Sequence, residues 1–553
     1  MKIAVVTMNV KAGKCQENYE AMEKYIMRAI EDKANIIVFP QNCISGYHLG
    51  DLWLDDAWCQ YVDHFNDKIM EYSDRIAIVW GNIKYRSKKR FNAAIFAYKG
   101  TTHIRIKQNE NHFVYQDSRY FSENAIHSAV EYEDQVYALN FKDEIQIADM
   151  NFNLDARPFC IDDNLHIKGS CVYVNAVGMQ TIGKSVLPLQ GGSKVVIENK
   201  LLYQAPYFQE EYALVDTTSS HIVKETKPIL MDALCMTVQA FDEQVLQGKR
   251  PWIIGLSGGL DSSVTAALLV KALGKERVIG YNLATQYNTH KTIDNAKVLA
   301  NRLGIAYKEG SIETLVEGSI QVLEKEYDYD AQKWNSLVKE NIQARIRGHL
   351  LSSFAQIHGG VVVNNANKVE LALGYCTLYG DAIGALSILG DITKVQLFTL
   401  ARELNETFGC EVIANRLLPT IENDEVQWEM PPSAELRDDQ FDPMKWFYHD
   451  YLVEHLGKDM TLQTLMQKYI DKSIFDTEIG PWIKYYGLDQ PKAFIEDLDW
   501  FCRTMQNNGF KRLQTPPLIV VSSNAYGNSK VEAQITYDEG EYHRLKEQIL
   551  QLG

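Results

Sequence analysis

The spacing of apolar positions divides the chain into two parts. Up to about residue 215 the apolar residues fall in short β-rich runs, KIAVVTMNV, NIIVFP, IAIVWGNI, AAIFAY, CVYVNAVG, SKVVIEN and YALVD, separated by turn-rich stretches. Runs of this length predict sheets. One helical pattern stands out among them, TMNVKAGKCQENYEAMEKYIMRAIEDKA, with Tyr19, Met22, Ile26 and Ile30 on one face. From about Pro228 strand and helix alternate: WIIGLSGG before VTAALLVKALG, RVIGYNL before THKTIDNAKVLANRLG, then the helix NSLVKENIQARIRGHLLSSFAQIHG before GVVVNN. Alternation predicts a parallel, doubly wound sheet. Between the parts lies TTSSHIVKETKP, residues 217–228, polar and ending in Pro, which reads as a linker between domains 1–216 and 229–553. No internal repeat or low-complexity tract interrupts either part.

Composition narrows the class. A chain of 553 residues is too long for one core. With 46% apolar and 23% charged residues it reads as an ordinary folded protein. A formal charge of -16 disfavours nucleic acid as a partner, while leaving room for a local basic pocket. No apolar run is long enough to span a bilayer, and the start MKIAVVTMNVKAG lacks a basic n-region and a cleavage-like site. Nine Cys, scattered from Cys15 to Cys502 without CxxC spacing, fit a reduced cytoplasmic chain.

The strongest chemical signal is WIIGLSGGLDSSVTAALL, residues 252–269, in which a strand runs into Ser257, Gly258, Gly259, Leu260, Asp261 and Ser262 and a helix follows at once. Glycines allow successive backbone N–H groups to face one anion, and a helix N-terminus adds partial positive charge. This is not the GxxxxGK[ST] loop, because no Lys follows the second Gly. Asp261 offers a hard oxygen for Mg²⁺ beside a phosphate. The plainer reading is a tight turn with Asp261 as a first-turn carboxylate.

SGGLDSS resembles the pyrophosphate loop of the N-type ATP pyrophosphatases. Together with NIQARIRGHLL, NANKVELALGYCTLYGDAIGALSILGDITKVQL, PPSAELRDDQ and GFKRLQTPPLIVVSS it makes residues 228–536 similar to the NAD⁺ synthetases. The resemblance implies ATP and Mg²⁺ as cofactors and a reaction in which the carboxylate of nicotinic acid adenine dinucleotide is adenylated and ammonia then displaces AMP. It implies catalytic roles for Asp261, Lys394 and Lys511 and ATP binding by Ser257, Gly258, Gly259, Asp261 and Ser262. Asp261 and Glu370 would hold the metal, and Arg345, Lys368, Tyr379, Asp381 and Arg512 would contact substrate. Arg345 and Arg347 lie two apart on a helix, so at most one faces the site. A homo-oligomer is implied as well. Departures occur at Ala366 and Val369, where the family carries Gly and Ser, and after Gly527, where the family carries an Asp two residues beyond the Gly and this chain has Asn528 and Ser529.

Residues 1–216 resemble the nitrilase-like glutaminase α/β sandwich that such synthetases carry. VFPQNCISGYHLGDLW matches the segment with the catalytic Glu and IRIKQNENHFVYQDSRYF the segment with the catalytic Lys. A glutaminase needs a Glu base, a Lys for the oxyanion and a Cys nucleophile. Here the Glu position is Gln41, the Lys is Lys107, and ICED aligns with Ile147 to Met150, so the nucleophile position is Ala148. The stretch after Ala148 is also short. Its one thiol, Cys160, would stay mostly protonated without a base at position 41. The reading is therefore an ammonia-dependent ligase with a pseudo-glutaminase domain. The alternatives are an adenylate-forming amide ligase for another carboxylic acid and a regulatory partner of an active synthetase.

Overall fold

The computed structural model describes all residues except 111–114, 125–128, 423–424, 434, 438–441, 528–534, 536–539 and 553. The chain forms two compact units, Met1–Phe241 with Val520–Ser522, and Asp242–Ile519 with Ser523–Gly553. The division falls inside the helix Leu230–Gln244. Segment 217–228 has neither helix nor strand, but it is tied to the first unit: Lys194 pairs with Glu225 at 2.5 Å, Thr226 N–H donates to Gln204 and Val223 N–H donates to Leu201 O.

The first unit contains two six-stranded sheets. One runs in the order Glu211–Asp216, Lys2–Thr7, Ile36–Val38, Ala77–Arg86, Lys89–Tyr98, Thr101–Ile106. The other runs Lys200–Gln204, Lys194–Ile197, Cys171–Asn175, Met150–Asp155, Gln135–Phe141, Val130–Tyr132. Alternate residues of each strand face opposite ways. Ile3, Val5, Ile36, Val38, Val79 and Phe96 pack with Leu139, Phe152, Leu154, Val172 and Val195 between the sheets. Ala4, Val6, Ile37, Ile78 and Trp80 face the helices Cys15–Glu31 and Asp56–Met70 on the other side. Both faces are covered, which is why KIAVVT and NIIVFP read as continuous apolar runs. The second helix is an addition to the sequence reading. Its buried face includes a polar residue, Asn66, which blurs the period; the amide donates to Ile83 O and accepts from Trp80 Nε1.

The core of the second unit is a parallel sheet in the order Leu518–Ile519, Leu386–Ser387, Val361–Asn364, Trp252–Gly255, Val278–Ala284, Ala306–Ser311. From its first strand, Trp252–Gly255, the chain adds two strands on one side and then crosses to Val361–Asn364 on the other. That reversal opens a crevice at the strands' C-terminal ends, the position where parallel sheets bind ligands. No helix among the described residues is long and apolar enough to cross a membrane.

Candidate functional site

The loop after Trp252–Gly255 lies in that crevice. Gly258 has φ +83°, and a Cβ there would fall 1.8 Å from Thr292 O, so only glycine fits. Gly259 caps the helix Leu260–Leu273 without a side-chain hydrogen bond, leaving the first-turn N–H groups for another acceptor. Ser257 Oγ accepts the Gly259 N–H at 3.2 Å and lies 3.1 Å from Ser262 Oγ, which fixes the turn.

Three helices begin at this point. Asp261 is in the first turn of Leu260–Leu273, Glu370 in the first turn of Lys368–Leu373, and Lys394 is the first residue of Lys394–Phe408. Helix N-termini converging in this way favour a bound anion. Lys394 Nζ pairs with Asp261 Oδ2 at 2.5 Å, and Asn367 Nδ2 donates to Asp261 Oδ1 at 2.9 Å. Asn367 also caps the Lys368–Leu373 helix, and its own N–H donates to Glu370 Oε2 at 3.2 Å. Burial, and then the charge of Asp261, hold the Glu370 carboxyl well above the usual range. Burial works against the Lys394 ammonium, but Asp261 and Glu370 outweigh it and raise its pKa.

A cleft of about 330 Å³ opens over these groups. Leu256, Tyr281, Leu351 and Val362 give it apolar lining, and Ser257, Asp261, Glu370 and Lys394 polar lining. Of the two helical arginines it is Arg347 that lines the cleft, correcting the expectation for Arg345. Arg347 donates to Leu283 O at 3.0 Å and to Asn288 Oδ1 at 3.2 Å, and burial lowers its pKa to about 10. Arg345 is exposed and reaches Leu378 O at 3.4 Å. Asp381 lines the cleft and accepts the Thr377 N–H at 2.6 Å.

Other expected contacts point elsewhere. Lys368 is fully buried between Asp391 at 3.1 Å and Glu454 at 3.0 Å. Tyr379 is 70% exposed and donates to Gln514. Lys511 Nζ donates to Gly374 O and Cys376 O, so it holds the backbone of the GYC segment, while Arg512 donates to Ala372 O and Met505 O. Asn528 and Ser529 lie outside the described residues. The sequence reading missed Asn288 and Thr292, which line the cleft, and Asn367, which is buried behind it and donates to Asp261; all three look like ordinary capping residues in the sequence.

In the first unit Gln41 is 1% exposed and its Nε2 has no hydrogen-bond partner among the described residues. Lys107 is enclosed: Nζ is 2.7 Å from Asp117 Oδ2, 3.0 Å from Tyr47 Oη and 3.5 Å from Glu110 Oε2, and the Tyr47 hydroxyl donates to Asp117. Ala148 is not brought to either residue. Asp149 N–H donates to Val136 O at the start of the strand Gln135–Phe141, whereas the Gln41 N–H donates to Asp155 O at the far end of the parallel neighbour Met150–Asp155. A strand of that length spans about 17 Å. The chain that meets Gln41 is therefore the end of MNFNLD, which also lacks a thiol. Cys43, two residues from Gln41, points at Met22 Sδ and Gly81 O, and burial pushes its pKa up.

Residues 236–479 match the NAD synthase family and residues 2–142 the carbon-nitrogen hydrolase family. The glutamine-dependent NAD(+) synthetase of Acinetobacter baylyi is 27% identical over 515 residues, covering 86% of this chain and 92% of that protein. The Synechocystis enzyme of the same name is 28% identical over 588 residues, covering 95% and 97%. The solved structure of the glutamine-dependent NAD+ synthetase from Acinetobacter baumannii in complex with ADP has a TM-score of 0.68 at 23% identity, covering 95% of this chain and 96% of that one. The Cytophaga hutchinsonii synthetase has a TM-score of 0.76 at 15% identity and covers 99% of both. Over nearly its whole length the chain has the makeup of the glutamine-dependent NAD+ synthetases, a carbon-nitrogen hydrolase domain over residues 2–142 followed by an NAD synthase domain over residues 236–479.

Proposed function

We propose that the chain converts nicotinic acid adenine dinucleotide to NAD⁺ with ATP, taking its nitrogen from free ammonia. The observation that carries the ligase reading is the meeting of Asp261, Glu370 and Lys394 under the SGGLDSS loop at the switch point of the sheet. Loop amides and the helix N-terminus hold the β- and γ-phosphates, and the apolar lining of the cleft takes the adenine. The substrate carboxylate forms a bond to the α-phosphorus as the bond to pyrophosphate breaks. Ammonia then bonds to the carbonyl carbon of the acyl-adenylate, AMP leaves with the C–O electron pair, and the nitrogen loses a proton. Lys394, held cationic chiefly by its ion pair with Asp261, stabilises the negative charge that both steps gather on oxygen. Asp261 and Glu370 would hold Mg²⁺: both line the cleft beside Lys394 and offer hard carboxylate oxygens of the kind a divalent cation takes. When bound, that ion supplies neutralisation of the triphosphate charge.

The nitrogen source is read from the first unit. Gln41 cannot accept a proton at neutral pH, Lys107 is already engaged with Asp117, Glu110 and Tyr47, and no thiol is found at the strand end beside Gln41. Gln41, Lys107 and Asp117 are each no more than 3% exposed. The test is NAD⁺ formation from ATP and the dinucleotide with either ammonium or glutamine as the sole nitrogen donor. Turnover with ammonium alone is expected. Glutamate released in step with NAD⁺ overturns the reading and makes Cys160 the first thiol to replace.

A further inference from the structure

The segment 446–450 grips Lys394 at both ends. Asp450 Oδ1 accepts the backbone N–H of Lys394 at 2.6 Å and of Val395 at 3.3 Å, and Oδ2 accepts the Phe447 N–H at 2.8 Å. The Trp446 ring lies 4.9 Å from Lys394 Nζ. Between them Phe447 is held at φ 71° and ψ -47°, near the values of a γ-turn with positive φ, a rare and strained conformation, while its ring stacks on Trp482 at 4.1 Å. Strain of this kind persists only where the surroundings fix it.

The Lys394–Phe408 helix does not need Asp450 to begin. Thr393 already caps it, accepting the Gln396 N–H while Gln396 accepts the Thr393 N–H. A second acceptor for the first two amides is therefore a buried carboxylate, 3% exposed, kept in addition to a complete capping box. The helix that carries it, Tyr448–His455, also braces the helix of Glu370: Glu454 pairs at 3.0 Å with Lys368, the first residue of Lys368–Leu373. One short helix thus sets the start of both elements that bring groups to Asp261.

We propose that Asp450 is a positioning residue for the Lys394 ammonium, acting through the first backbone amides of the helix that Lys394 begins. The inference rests on the ligase reading of Lys394. Asp450→Asn keeps the volume but turns an amide N–H₂ toward the Phe447 N–H. It is expected to lower kcat for ammonium-dependent NAD⁺ formation at least tenfold while KM for ATP changes less than threefold and thermal unfolding of the full chain stays cooperative. Asp450→Ser, smaller and still able to accept one amide, reads the same split if the Asn variant does not fold. Lys394→Met is run beside them. Wild-type turnover in Lys394→Met overturns the ligase reading of that lysine. Loss of turnover in Lys394→Met with unchanged kcat in the Asp450 variants overturns the positioning role alone. A fall in kcat matched by an equal weakening of ATP binding marks Asp450 as purely structural and also overturns it.

Discussion

Lys107→Met separates a lysine kept for stability from one kept for catalysis. The Lys107 and Asp117 side chains are each 2% exposed and 2.7 Å apart, so deleting the ammonium leaves a buried carboxylate whose remaining donors are the Tyr47 hydroxyl and the Glu110 N–H. Removing one partner of a buried ion pair costs about 3–5 kcal/mol. Met retains most of the aliphatic chain, so little of that is lost packing. In a unit of this size about 1 kcal/mol moves the midpoint by roughly 2–4 °C, which predicts a fall of about 6–20 °C for the first unit. Thermal unfolding combined with hydrogen exchange over residues 101–106 reads it. In the double variant Lys107→Met with Asp117→Asn most of the loss is expected to return, because the uncompensated charge is gone. Ammonium-dependent turnover of the folded protein at low temperature is expected to stay near wild type. A change in stability below about 1 kcal/mol, or a gain, refutes the argument, since a charge held strained for catalysis stabilises the fold when removed.

Asp261→Ala is expected to reduce pyrophosphate release by orders of magnitude, as loss of charge stabilisation at a phosphoryl site does; a coupled pyrophosphate assay showing near-normal rates would remove the loop from the mechanism. Gln41→Glu is expected to release no glutamate from glutamine, because a base without a nucleophile gains little, and to destabilise the first unit by placing a charge at a position 1% exposed; measurable glutamate release counts against the pseudo-glutaminase reading. Burial lifts the Asp450 carboxyl to about 6, above the unfolded value of about 3.9. The folded state therefore binds the extra proton between those values, and stability falls as pH rises from about 4 through 6, by about 3 kcal/mol for this group. The unfolding free energy of Asp450→Asn relative to wild type, measured from pH 4 to 7, should show that slope, and a flat difference would contradict it.

Much of the architecture was legible in the chain because it follows from local spacing. Buried strands covered on both faces need continuous apolar runs, and KIAVVT, NIIVFP, WIIG and VVVN supply them. A glycine loop between a strand and a helix is equally local, so SGGLDSS pointed to an anion site before any tertiary contact was known. The second first-unit helix escaped because a buried, fully bonded Asn66 looks polar in sequence.

What only the tertiary structure decided is where charged side chains end. Spacing could say that Arg345 and Arg347 diverge, and the packing of the Ser336–Ile357 helix on the sheet decided that Arg347 turns to the cleft. By position Lys368 and Arg512 look like substrate ligands and Lys511 like a catalytic lysine, yet each is taken up by carboxylates or backbone carbonyls of its own unit. Ala148 was placed by aligning ICED along the chain, and the parallel pairing of Gln135–Phe141 with Met150–Asp155 set it a strand's length from Gln41. Asp450 had no signal at all in the sequence. Its role exists because the first turn of a helix 56 residues downstream of Lys394 folds back onto the first turn of the Lys394 helix, and the desolvation that gives a buried carboxylate its effect is a property of the surrounding packing rather than of the residue.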